Sequence, residues 1–207
     1  MPIIHNPKTP WQLAAYPLKY TGVGSRDTPT DVLDLMRRLG KALCNIGYLG
    51  MSGEADGADL AFHEGARQST RYDDVGFAAF LPYNGMRTGR GVIYEDTSRG
   101  IYDASKFDNW ERARQFAFEA RGSFNGLGRG GVALHTRNAF QVLSPSLQDP
   151  VKRLICWAQP IGIRGQVKGG TNTAVQIAHR YNIPVVNLFI DDQMQNVLRF
   201  LSQVESD

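Results

Sequence analysis

The sequence predicts an α/β protein, an open parallel sheet with helices on both faces. Short apolar runs alternate with amphipathic stretches through most of the chain. Glycine-bearing turns stand where several of the runs hand over to a helix. The runs are also far enough apart for the crossover helix that parallel neighbours require. These three observations describe a Rossmann-like sheet.

Each element has a local reason. Lys19–Val23 is a short β-prone run ending in the turn Gly22-Val23-Gly24-Ser25-Arg26. A helix follows, with Asp27 or Thr28 as N-cap, Pro29 at its start and Asp31 and Asp34 in its early turns. Val32, Leu35, Met36, Leu39, Leu43 and Ile46 recur at the three-and-four spacing of one buried face. Gly47 ends that helix, and Tyr48–Met51 reads as the second strand. The turn Ser52–Asp59 opens a second helix to about Gln68, and Val75–Leu81 is a third strand closed by Pro82. The C-terminal part repeats the grammar: strand Arg153–Ala158, a Gly/Thr turn at 169–174, helix Ala174–Tyr181, strand Pro184–Ile190 and a last helix over about 192–203.

Residues 84–136 interrupt this alternation. They carry nine Lys/Arg, counting Arg137 just past the edge, against six acids. A helix over about Ala104–Ala120 would place Trp110, Ala113, Phe116 and Ala117 on one face. Long irregular stretches are often binding arms or lids, so residues 1–207 read as one domain with 84–136 as an insertion closing over its crevice.

Composition narrows the function. The chain has 207 residues, of which 42% are hydrophobic and 21% charged, which excludes disordered and collagen-like classes. No stretch reaches the ~18 apolar residues of a membrane span, so no membrane partner is expected. The N-terminal 20 residues contain four prolines and do not resemble a secretory leader. Cys44 and Cys156 sit apart in apolar runs and read as reduced, packed thiols. No His/Cys/Asp cluster has metal-ligand spacing, so neither a metal nor a cofactor is expected. A net charge of +3 permits an anionic partner without demanding a polyanion.

Ligands of open parallel sheets bind outside the carboxyl ends of the strands. Three polar turns lie at such ends, and each opens a helix whose free amides attract an anion. Gly22, Gly24, Ser25 and Arg26 form the first, with Arg26 able to clamp phosphate oxygens. Ser52, Gly53, Glu54, Asp56, Gly57 and Asp59 form the second. Its carboxylates can meet ribose hydroxyls, or Glu54 and Asp56 can work as acid and base on a glycosidic bond, whereas Asp59 reads as an orienting or capping residue. Lys168, Gly169, Gly170, Thr171 and Thr173 form the third, an anion cradle without the order of a Walker A loop. Arg137 and Asn138 stand at the start of the apolar, helix-like segment Ala139–Leu143, where they can reach the same crevice. His63, on the second helix, reads as a packed or capping residue.

Val23-Gly24-Ser25-Arg26 with Pro29, and then Ser52-Gly53-Glu54-Ala55-Asp56-Gly57-Ala58-Asp59, resemble the paired motifs of the DprA/Smf family within the SLOG Rossmann superfamily. Arg137-Asn138 and Gly169-Gly170-Thr171 through Ala174 are similar to its later motifs, and the chain is similar to compact, phage-encoded members. The resemblance covers roughly 19–82 and 135–190. It implies a cytoplasmic protein of a bacterial or phage-infected cell that binds a nucleotide or nucleotide-derived small molecule. Single-stranded DNA is the alternative partner, and base-releasing hydrolysis of nucleotides the alternative activity. It leaves open a homodimer. Asp56 stands where the DNA-processing members usually carry arginine. The third turn lacks the glutamate that follows the Gly-Gly pair in the phosphoribohydrolases, so hydrolysis here would rest on Glu54 or Asp56.

Overall fold

The computed structural model describes residues 9–162 and 165–206. The N-terminal residues 1–8, part of the stretch read above as unlike a secretory leader, lie outside the described residues.

After a 3-10 turn at Pro10–Ala15, the chain runs through β1 (Lys19–Gly24), α1 (Thr30–Asn45), β2 (Leu49–Ser52), α2 (Ala58–Arg67), the single turn α3 (Tyr72–Val75) and β3 (Phe77–Leu81). A hairpin of β4 (Met86–Thr88) and β5 (Gly91–Ile93) leads to β6 (Ile101–Asp103), α4 (Trp110–Arg121) and α5 (Arg129–Leu143). The last part comprises β7 (Arg153–Trp157), the ribbon β8 (Pro160–Ile161) and β9 (Gln166–Val167), α6 (Thr171–Arg180), β10 (Val185–Asn187) and α7 (Asp191–Val204).

Six strands form one parallel sheet in the order β10-β7-β1-β2-β3-β6. Helices α1, α2 and α7 cover one face; α5 and α6 cover the other, with α4 packed over both. This is a Rossmann-like α/β fold. The strand order reverses at β1, which pairs with β2 on one side and β7 on the other, Gly24 lying opposite Trp157. Such a reversal splays the connections apart and opens a crevice above the carboxyl ends.

The periodic face of α1 is buried as its spacing requires: Val32, Leu35, Met36, Leu39 and Leu43 are all in the core, while Ile46 at the C-cap is 42% exposed. The cap differs from expectation. Pro29 is the N-cap, and the Thr28 hydroxyl instead donates to the Ser25 carbonyl at 2.7 Å, tightening the first turn. Cys44 and Cys156 are buried and free, and burial pushes the Cys156 thiol up to about 12.

Two larger differences concern the middle of the chain. The segment 84–136 supplies β6, an edge strand of the main sheet, as well as the hairpin and α4. The helix expected to begin near Ala139 begins at Arg129, so Arg137 and Asn138 lie in its middle and not at its start. Residues Thr136–Leu143 are buried on every side, because the sheet lies beneath α5 and α4 above it. An all-round buried helix shows no amphipathic period, and Gly130 and Gly131 weaken the signal further. The helix expected from about Ala104 starts at Trp110, after a separate 3-10 turn at Ala104–Lys106; elsewhere the differences are smaller: β10 covers only Val185–Asn187, α6 starts at Thr171, and Val75 belongs to α3 and not to β3. No described helix is long and apolar enough to cross a membrane.

Candidate functional site

The first two predicted turns pack directly on each other. Gly57 has φ +85°, and a Cβ there would lie 2.9 Å from the Ser25 carbonyl oxygen, so this position needs glycine twice over. Ser25 N–H donates to the Trp157 carbonyl, tying the first turn to the end of β7. The third turn is held by α5, which shares a layer with α6: Asn138 Nδ2 donates to the Gly170 carbonyl at 3.3 Å, and His135 Nδ1 meets Thr173 Oγ1 at 2.7 Å.

Between them opens a cavity of about 580 Å3. Of the residues expected at the site, Gly24, Ser25, Arg26, Asp56, Asp59, Arg137, Asn138, Lys168, Gly169, Gly170 and Thr171 line it. Glu54 borders another cavity, and the remaining ones stand behind the wall. Gly22 lies in β1 under the Phe62 ring, Ser52 donates to the Gly22 carbonyl, and Thr173 is 1% exposed. Gly53 and Gly57 face protein atoms.

Arg137 is a buried cation at this cavity. It is 5% exposed, and its Nη2 donates to Asp59 Oδ2 at 3.1 Å. Arg137 comes from α5 on one face of the sheet and Asp59 from α2 on the other, so the pair crosses the carboxyl edge just where β2 ends. Gly53 makes the crossing possible: a Cβ there would sit 1.5 Å from Arg137 Nη1. Burial pushes the Asp59 carboxyl above its ordinary range, against the pull of Arg137 and of a hydrogen bond from the Gly24 amide. The Nε and Nη1 groups of Arg137 make no hydrogen bond among the described residues. Arg26, Arg87 and Lys168 line the same cavity and form no ion pair among the described residues.

The carboxylates proposed for acid–base work are placed differently. Asp56 reaches the cavity, but Oδ2 accepts from the Gly89 amide at 2.6 Å and Oδ1 from Arg90 Nε at 3.3 Å, which docks the β4–β5 hairpin. Glu54 is 3% exposed and borders a separate polar cavity with Arg67, Arg90 and Arg99. Its carboxylate meets His63 Nδ1, and His63 Nε2 meets the Tyr72 hydroxyl at 2.9 Å. Burial would raise the Glu54 pKa, but His63 and Arg90 outweigh it and hold the group low. Burial lowers His63 despite Glu54. A neutral imidazole donating from Nδ1 and accepting at Nε2 fits both neighbours.

Sequence reasoning did not single out Gln141, Arg87, Tyr83 or the apolar wall of Met86, Leu127 and Leu134, all of which line the cavity. Gln141 carried a signal nonetheless, as the one polar residue in the run Ala139–Leu143.

No protein-family model and no curated protein matches the chain. Among solved structures it is similar to the molybdenum cofactor carrier protein of Chlamydomonas reinhardtii in two determinations. One shares 13% identity, covers 90% of this chain and 87% of the carrier and has a TM-score of 0.46. The other shares 14%, covers 92% and 99% and has a TM-score of 0.47. It is also similar to DNA processing protein A from Helicobacter pylori, described with its single-stranded DNA binding mode, at 16% identity over 95% of this chain and 84% of that one, with a TM-score of 0.41.

Proposed function

We propose that the cavity at the carboxyl edge binds a phosphate-bearing nucleotide, and that the chain is a nucleotide-binding, DprA-like member of the SLOG superfamily. One observation carries the reading: a buried guanidinium lines this cavity with two nitrogens lacking a hydrogen bond. Leaving charged donors buried and unmet is costly, and oxygen acceptors from a ligand remove the cost. The surroundings suit the same guest. Arg26, Arg87 and Lys168 supply further cations, and Gly169, Gly170 and Thr171 line the cavity where α6 begins, although the next amides of that helix, Asn172 and Thr173, donate to the Gly169 and Gly170 carbonyls.

The carboxylates favour binding over hydrolysis. Glu54 is enclosed with His63, and Asp56 is engaged by the hairpin. A second reading, single-stranded DNA, is favoured by Tyr83 beside Arg87 at the cavity and by Tyr94, 63% exposed, beside Arg90 at the neighbouring one. Exposed aromatic rings between arginines suit stacked bases on a tracked backbone.

Titration calorimetry with nucleoside monophosphates tests the proposal. Arg26→Glu should weaken binding by about tenfold or more, since it replaces an attraction to phosphate by a repulsion. Unchanged affinity would overturn the assignment. A salt series separates the readings, because binding that tracks many phosphates falls steeply with salt and a single mononucleotide does not. Free base accumulating in the same incubations would return the chain to hydrolysis.

A further inference from the structure

Arg137 and Gln141 lie one turn apart on the same side of α5. Gln141 is 0% exposed, lines the cavity, and neither Nε2 nor Oε1 of its amide has a hydrogen-bond partner among the described residues. A buried amide left unmet is destabilising, and an apolar residue of the same size would serve packing better. Its neighbours in the helix, Phe140, Val142 and Leu143, are such residues and are fully buried.

The two orphaned groups ask for different things. Arg137 offers only donors, which phosphate oxygens satisfy. Gln141 offers a donor group, the two N–H of Nε2, beside an acceptor, and its Oε1 needs an N–H or O–H from outside. The phosphate of a nucleotide, a monoester dianion, has none to give. The group that meets Gln141 must therefore belong to another part of the ligand and present a donor and an acceptor side by side. A nucleobase edge does so, as does the vicinal diol of a ribose. The apolar wall of Met86, Leu127 and Leu134 with Tyr83 gives the cavity room for such a moiety beside its cationic side.

We infer that Gln141 is a specificity-determining residue that reads the nucleoside moiety of the ligand, while Arg137 with Arg26 and Lys168 holds its phosphate. The inference rests on the nucleotide reading above and assigns a division of labour within it.

The test compares wild-type protein with Gln141→Met, which keeps the length of the side chain and removes both hydrogen-bonding groups. Gln141→Leu serves as a second variant. Each is titrated with inorganic phosphate, ribose 5-phosphate and nucleoside monophosphates, and its Tm is measured without ligand. Gln141→Met should lose about tenfold in affinity for nucleoside monophosphates, the loss of one or two buried hydrogen bonds, and keep its affinity for inorganic phosphate. Its Tm without ligand should be equal to or above that of wild type. A matching loss for ribose 5-phosphate identifies the sugar diol as the group read; a loss confined to the monophosphates identifies the base. Unchanged monophosphate affinity, or an equal loss for inorganic phosphate, overturns the inference while leaving phosphate binding intact. Wild-type protein that binds neither phosphate nor monophosphates overturns the nucleotide reading itself, and this inference with it.

Discussion

The turn between β2 and α2 separates two polar clusters that differ in one respect. On one side, buried Glu54 and His63 and half-buried Tyr72 bond in a chain, with His63 stacked on Phe77 at 4.4 Å between centroids. On the other, Arg137 and Gln141 are also buried, yet four of their polar atoms have no hydrogen-bond partner among the described residues. Both clusters contain groups that a sequence reading would nominate for chemistry. The closed one has spent its hydrogen-bonding capacity on the fold, and the open one has kept it in reserve beside a cavity. Buried polarity alone therefore does not separate the two; unmet hydrogen-bonding capacity in residues that line a cavity does.

The largest expected effect comes from breaking the closed cluster. His63→Ala strips the buried Glu54 carboxylate of its partner and leaves a void beside Phe77, so stability should fall by about 3 kcal/mol in urea unfolding. Phosphate affinity in the variant that remains folded should be unaltered. A joint loss of stability and affinity would erase the contrast between the two clusters.

A smaller effect should follow in the open cluster from Gly53→Ala. The added methyl competes for the place of the Arg137 guanidinium. Overpacking of this kind costs about 2 kcal/mol, and here the displaced guanidinium should lower phosphate affinity as well. Affinity preserved beside reduced stability would show that Arg137 need not hold its observed position.

The smallest effect sharpens the boundary of the open cluster. Burial, with Arg121 and Arg137 nearby, lowers the His135 pKa to about 4. The unfolded chain therefore takes up a proton on this histidine before the folded chain does. Its contribution to stability is full above the ordinary histidine pKa of about 6.5 and declines as pH falls from there toward about 4. His135→Gln should flatten that part of the pH–stability curve; a curve of unchanged slope would contradict the assignment.

Much of the fold was legible because its signals are local. Val32, Leu35, Met36, Leu39 and Leu43 announce a helix by spacing, and Gly47 announces its end. The three turns were legible for the same reason, and their convergence followed from the rule that parallel sheets bind at their carboxyl ends. What escaped was tertiary in origin. The early start of α5 is hidden by glycines and by burial on all sides, so Gln141 reads as part of an apolar run. The two fates of Glu54 and Asp56, five residues or fewer from Asp59, depend on His63, Gly89 and Arg90, and no spacing within the turn encodes them. Nor does a glycine declare whether it faces a ligand or a neighbouring side chain. At Gly53 the neighbour is an arginine 84 positions later in the chain.

That last residue shows how much can depend on an atom that is missing. A lone hydrogen at position 53 leaves a notch at the strand end, and through it the two helical layers touch by charge rather than only through the sheet between them. Mutational tolerance along this bend is thus governed by a position that contributes no side chain at all, and a methyl group there would act on both layers together.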